Sequence, residues 1–64
     1  MVDNEKQGEI LAIVTQNRDM MSDSVPVFFT KEEKEMEKLA RYISKVLNAA
    51  THDLENGTFI IVRH

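Results

Sequence analysis

The sequence predicts a small α/β (α+β) domain of β-β-α-β order, with one long amphipathic helix packed on a three-stranded, largely antiparallel sheet. Three observations carry this reading. Apolar residues recur at Met36, Leu39, Ala40, Ile43, Val46, Leu47, Ala50 and Leu54, the spacing of one helical face. A β-branched and aromatic run, Thr58-Phe59-Ile60-Ile61-Val62, follows that stripe. Two further runs rich in Ile, Val and Phe precede it.

The elements follow in chain order. Residues 1–8 are polar and lack periodicity, which predicts a flexible N-terminal segment ahead of a single domain at 9–64. Glu9 to Gln16 has the Ile and Val content of a strand, although Ile10, Ile13 and Val14 would also fit a helical stripe. Asn17 to Ser24 is rich in turn-forming side chains and reads as a loop. In Val25-Pro26-Val27-Phe28-Phe29 the proline has no N–H to donate, so it belongs at a strand's start or on a sheet edge.

Thr30 and Glu33 have the spacing of a capping box. The Thr30 hydroxyl would bond the N–H of Glu33, and the Glu33 carboxylate would reach back to the N–H of Thr30. The predicted helix runs from Lys31 to Leu54, stopped by Glu55-Asn56-Gly57. Strand alternation places Ile10, Ala12 and Val14 on one face of the first strand, and Leu11 and Ile13 on the other. The last strand is likewise apolar on both faces. One helix covers only one face of a sheet, so the other face exposes Ile and Val unless something packs there. The expected answer is a homodimer or a partner protein; the bland account is that one set of side chains is small and tolerates water.

Composition narrows the function classes. The chain has 64 residues and no cysteine, so it has no disulfide or thiolate metal site to stabilise a small core. Asp3, Glu5, Lys6 and Glu9 are the opposite of a signal peptide's positive start and apolar middle. The longest apolar run, Ile10 to Val14, is too short to span a bilayer. A cytoplasmic chain with no membrane role is the expectation.

No catalytic residues are assigned. Ser22, Ser24 and Ser44 lie in no nucleophile elbow, and two glycines, Gly8 and Gly57, cannot form a phosphate loop. No cofactor is implied. His52 and His64 lack the converging spacing of metal ligands, and His52 reads as a solvated histidine near a helix C-terminus.

Two surface patterns remain as candidate binding residues. Lys34, Lys38, Arg41 and Lys45, with Lys31 and His52 at either end, form a basic stripe opposite the apolar face. Lys34–Lys38 and Arg41–Lys45 are like-charge i, i+4 pairs, which cost helix stability. A solvated face of mixed charge is the ordinary account of such a row, since Glu35 and Glu37 flank it. The functional account is contact with the acidic surface of a protein partner. Nucleic acid is the weaker target, because the net charge is −3. The second pattern is Met20-Met21, an adaptable apolar contact for a partner unless one methionine folds back on the core. These features predict a non-catalytic accessory or regulatory protein acting through protein–protein contact as a homodimer. A nucleic-acid-associated factor is the alternative, and a small enzyme without a recognisable motif the third reading.

Overall fold

In the computed structural model, residues 8–63 are described, and the elements run β1 (Glu9–Thr15), β2 (Val27–Phe29), α1 (Glu33–Leu47), β3 (Ala50–Asp53) and β4 (Thr58–Arg63). The expected flexible segment falls outside the described residues apart from Gly8, as does His64. Helix and strands form the α+β domain that the sequence predicts. The sheet differs in detail: it has four strands in the order β2-β1-β4-β3, and it is mixed. β4 is antiparallel to both β1 and β3, whereas β2 lies parallel to β1.

The fourth strand comes from the C-terminal part of the predicted helix. The helix ends at Leu47 because Asn48 adopts the left-handed conformation, with φ 55° and ψ 53°. Its N–H donates to the Lys45 carbonyl at 3.3 Å, and the Ala49 N–H donates to Ser44 at 2.8 Å. These two bonds are those of a Schellman stop, with asparagine in the position glycine usually takes. Ala50 and Leu54 therefore leave the helical stripe. Ala50–Asp53 pairs antiparallel with β4 instead, from Ala50 opposite Val62 to Asp53 opposite Phe59. Glu55-Asn56-Gly57 is a hairpin turn. Glu55 (φ 62°) and Gly57 (φ 83°) supply its left-handed residues, and the Asp53 carboxylate accepts the Glu55 N–H at 2.7 Å.

The start of the helix differs as well. Glu32 occupies the N-cap position and no side chain caps it. Thr30 is buried, its N–H donates to Thr15 at 2.9 Å, and its hydroxyl reaches the Glu32 carbonyl at 3.4 Å. The bond to Thr15 of β1 holds Thr30 just past the end of β2, two residues before the N-cap position. The expected Thr30–Glu33 box does not form.

A bulge between Ile10 and Ala12 shifts the β1–β4 register. Leu11 and Ala12 together oppose Ile61, so Leu11 joins Ala12 and Val14 on the helix side. Ile10 turns to the opposite face, opposite Val62, with Ile13 and Ile60. Simple alternation had assigned Ile10 and Leu11 the other way round. The core lies between α1 and the two central strands: Met36 and Ala40 against Ala12, Val14, Phe59 and Ile61. Behind it, at one end of the opposite face, Thr15 and Thr58 are buried with their hydroxyls 2.9 Å apart. The Thr15 hydroxyl also accepts the Asn17 N–H at 3.0 Å, which anchors the start of the β1–β2 loop.

Candidate interaction surface

The basic stripe survives in shortened form. Lys34, Lys38, Arg41 and Lys45 lie on the solvent side of α1, all exposed. Lys31 precedes the helix, where its carbonyl accepts the Gln16 side-chain amide at 3.1 Å. His52 is not on the helix: it is on β3, opposite Ile60, on the sheet face away from α1. Lys34, Lys38 and Arg41 line a shallow depression of about 240 Å³ with Glu37 and Tyr42. Glu37 and Arg41 continue from there to Thr51 and Phe59, at the β3 side of the helix.

Met20 and Met21 divide. Met20 is half-buried and its N–H closes a turn onto the Asn17 carbonyl at 3.1 Å, while Met21 is 87% exposed. Neither lines the depression that the stripe residues form. Among the described residues, no group of three or more His, Asp or Glu side chains is placed to hold a metal ion. No helix among them is long and apolar enough to cross a membrane.

The structure adds a surface that sequence reasoning missed. Leu11, Ala12, Pro26, Phe28, Tyr42, Ile43, Val46 and Leu47 line a groove of about 280 Å³ between α1 and β2. It exists because α1 rests on β4 and touches β1 and β3 to either side, leaving the β2 side of the sheet open. Val46, expected in the core, is 82% exposed, and Tyr42 is 58% exposed. Phe28 of the edge strand faces them from the floor and is also exposed. One signal was available: Tyr42 and Val46 stand at i, i+4 on the edge of the apolar stripe, where helices usually turn polar.

Tyr42 joins the two surfaces. It lines the groove, the depression under the basic stripe, and a smaller one with Glu35, Lys38 and Leu39. Apolar groove and basic stripe are thus one continuous face. The opposite face of the sheet carries a separate apolar patch, where Ile10, Ile60, Val62, Leu54 and His52 line a depression with Gly8. At its other end Arg18 sits over the Phe29 ring, 5.2 Å from the centroid.

Residues 7–64 match the model of a family described as the capping complex subunit for YIEGIA. The chain is also similar to a curated relative, the uncharacterized protein YpzH of Bacillus subtilis (strain 168). The two are 34% identical over 55 residues, which span 86% of each chain. No solved structure matches.

Proposed function

The chain belongs to the family of the capping complex subunit for YIEGIA, a small accessory component of a protein complex, and we propose that it acts there without catalysis, by contact with a YIEGIA protein. The observation that carries this reading is the continuous face of groove and stripe. It offers apolar area and positive charge side by side, on a chain whose net charge is −3. Lys34, Lys38, Arg41 and Lys45 meet an acidic surface of the partner, and the groove supplies buried apolar contact. The role in this reading is regulatory, which the description of the family as a capping complex subunit supports. The working compartment is the cytoplasm.

The second part of the reading is self-association through the opposite sheet face. Ile10 and Leu54 are exposed there beside Ile60 and Val62, and two copies packed through this patch would remove it from water. That arrangement leaves the helix side of each copy free for the partner.

Co-expression with the YIEGIA protein of the same genome tests the first part. The two should co-purify at low salt and separate progressively as salt rises, because exposed charges are screened within about 8–10 Å at physiological ionic strength. Reversing Lys38 and Arg41 together to glutamate should abolish capture with little change in stability. Failure of the unmodified chain to co-purify at any salt concentration overturns the proposal. Sedimentation tests the second part: a clean 7.4 kDa species at roughly 100 μM, well above the micromolar range of modest protein affinities, removes the homodimer.

A further inference from the structure

We propose that the α1–β2 groove receives one acidic amphipathic helix of the capped partner, which completes the helical layer of this domain. The inference deepens the reading given above and rests on it. The first argument is geometric. Neighbouring strands lie about 4.8 Å apart, so β2, two places from β4 in the sheet, is displaced about 10 Å from it. Packed helices run about 8–10 Å axis to axis. With α1 resting on β4, a second helix at ordinary packing distance would therefore lie over β2. Its floor is Phe28, Pro26 and Leu11, and its wall is Tyr42, Ile43 and Val46.

The second argument is the chemistry of the lining. The groove's surface is apolar throughout, and its 280 Å³ falls below the range of about 300–1,000 Å³ usual for small-molecule sites. Tyr42 carries the one hydroxyl among its lining side chains, too few polar groups to orient a small ligand. Its shape and surface suit side chains presented from a helix.

The third argument is charge. Lys38 shares the depressions beside the groove with Tyr42, and Lys45 stands seven residues after Lys38 on the same solvent row, about 10 Å farther along the axis. Carboxylates two turns apart on the incoming helix match them. Glu35 is the acidic group beside Tyr42 and Leu39, at the N-terminal end of the rim. It sets the direction of the charge requirement, with partner carboxylates toward Lys45 and a neutral or basic residue beside Glu35. A second copy of this chain is a poorer occupant, because the apolar face of its own helix is already packed in its core and its exposed face mixes Lys and Arg with Glu.

The test uses the full chain co-expressed with the YIEGIA protein of the same genome. Val46→Glu places a carboxylate in the apolar wall, and at a position so exposed it should leave thermal unfolding unchanged. Binding should weaken by about tenfold or more, the scale of losing one anchoring contact, while Val46→Leu retains it. A photoreactive phenylalanine in place of Val46 should cross-link to a partner segment of helical apolar periodicity carrying Asp or Glu on its flank. Unchanged binding by Val46→Glu overturns the inference while leaving the parent reading intact. A cross-link to a basic or strand-forming segment, or to a second copy of this chain, also overturns it. If the unmodified chain does not bind, both readings fail together.

Discussion

The two flanks of α1 are made from similar residues and have opposite fates. On one, Met36 and Ala40 are 2% and 1% exposed, packed over Val14, Phe59 and Ile61. On the other, Tyr42 and Val46 are the two large apolar residues of the helix that stay in solvent. The difference lies in the sheet beneath. β3 folds back beside β4, and its Thr51 hydroxyl contacts the Ala40 carbonyl at 3.5 Å, so the strand reaches the helix on that side. The edge strand β2 has three residues and lies beyond the reach of a helix seated on β4. A helix is thus buried by the strands it reaches, and an apolar residue pointing past them is left available for something else.

The largest effect expected from this contrast is on the covered flank. Met36→Ala should cost about 2–5 kcal/mol, since the side chain is buried in the core and truncating it leaves a cavity. Urea unfolding measures it. A loss below about 1 kcal/mol, outside the usual core range, would break the contrast at its stronger end. Next comes the stop that frees β3 to reach this flank. Asn48→Val should cost about 1–2 kcal/mol, because a β-branched residue resists the left-handed conformation, and Asn48→Gly should be neutral or stabilising. Equal stability of the two variants in thermal melts would mean that the helix does not end there.

A smaller effect is expected at Thr30. A capping role would give a cost of up to about 2 kcal/mol for Thr30→Ala. Here its hydroxyl meets the Glu32 carbonyl at 3.4 Å, and that carbonyl already accepts the Met36 N–H at 3.0 Å. No group is orphaned, so the loss should stay under about 1 kcal/mol. A chemical denaturation midpoint shifted by more than that would restore the cap. The smallest effect belongs to the open flank: Val46→Ala should move the stability of the isolated chain by no more than about 0.5 kcal/mol. If the same substitution proved costly in calorimetry at low concentration, where self-association is dilute, the groove would be closed in solution and the contrast false.

Much of this architecture was legible in the residues. The strand at Glu9–Thr15, the edge position of Pro26, the loop after Asn17 and the terminal strand all form where Ile, Val and turn residues require. The stripe of Lys34, Lys38, Arg41 and Lys45 faces solvent because it stands opposite Met36 and Ala40 on the helical wheel. Periodicity was misleading where two patterns overlapped. Ala50 and Leu54 extend the helical spacing of Leu47 by chance, and Asn48, which tolerates a positive φ, decides the matter locally. The bulge at Leu11 was illegible for a different reason. It exists only in relation to β4, so no property of residues 9–15 taken alone announces it.

What the sequence by itself determined is therefore the inventory: one amphipathic helix, strands before and after it, and a basic row on the solvent side. These follow from short-range physics, namely side-chain periodicity and the conformations each residue tolerates. The tertiary structure alone decided that β4 pairs between β1 and β3, and that β2 joins the edge in parallel. That order depends on which strands bury the most apolar surface together across long separations in the chain, a quantity no local window contains. It also determined the site. The groove between Tyr42, Val46 and Phe28 arises where a helix seated on β4 stops short of β2, and it belongs to no single segment of the chain.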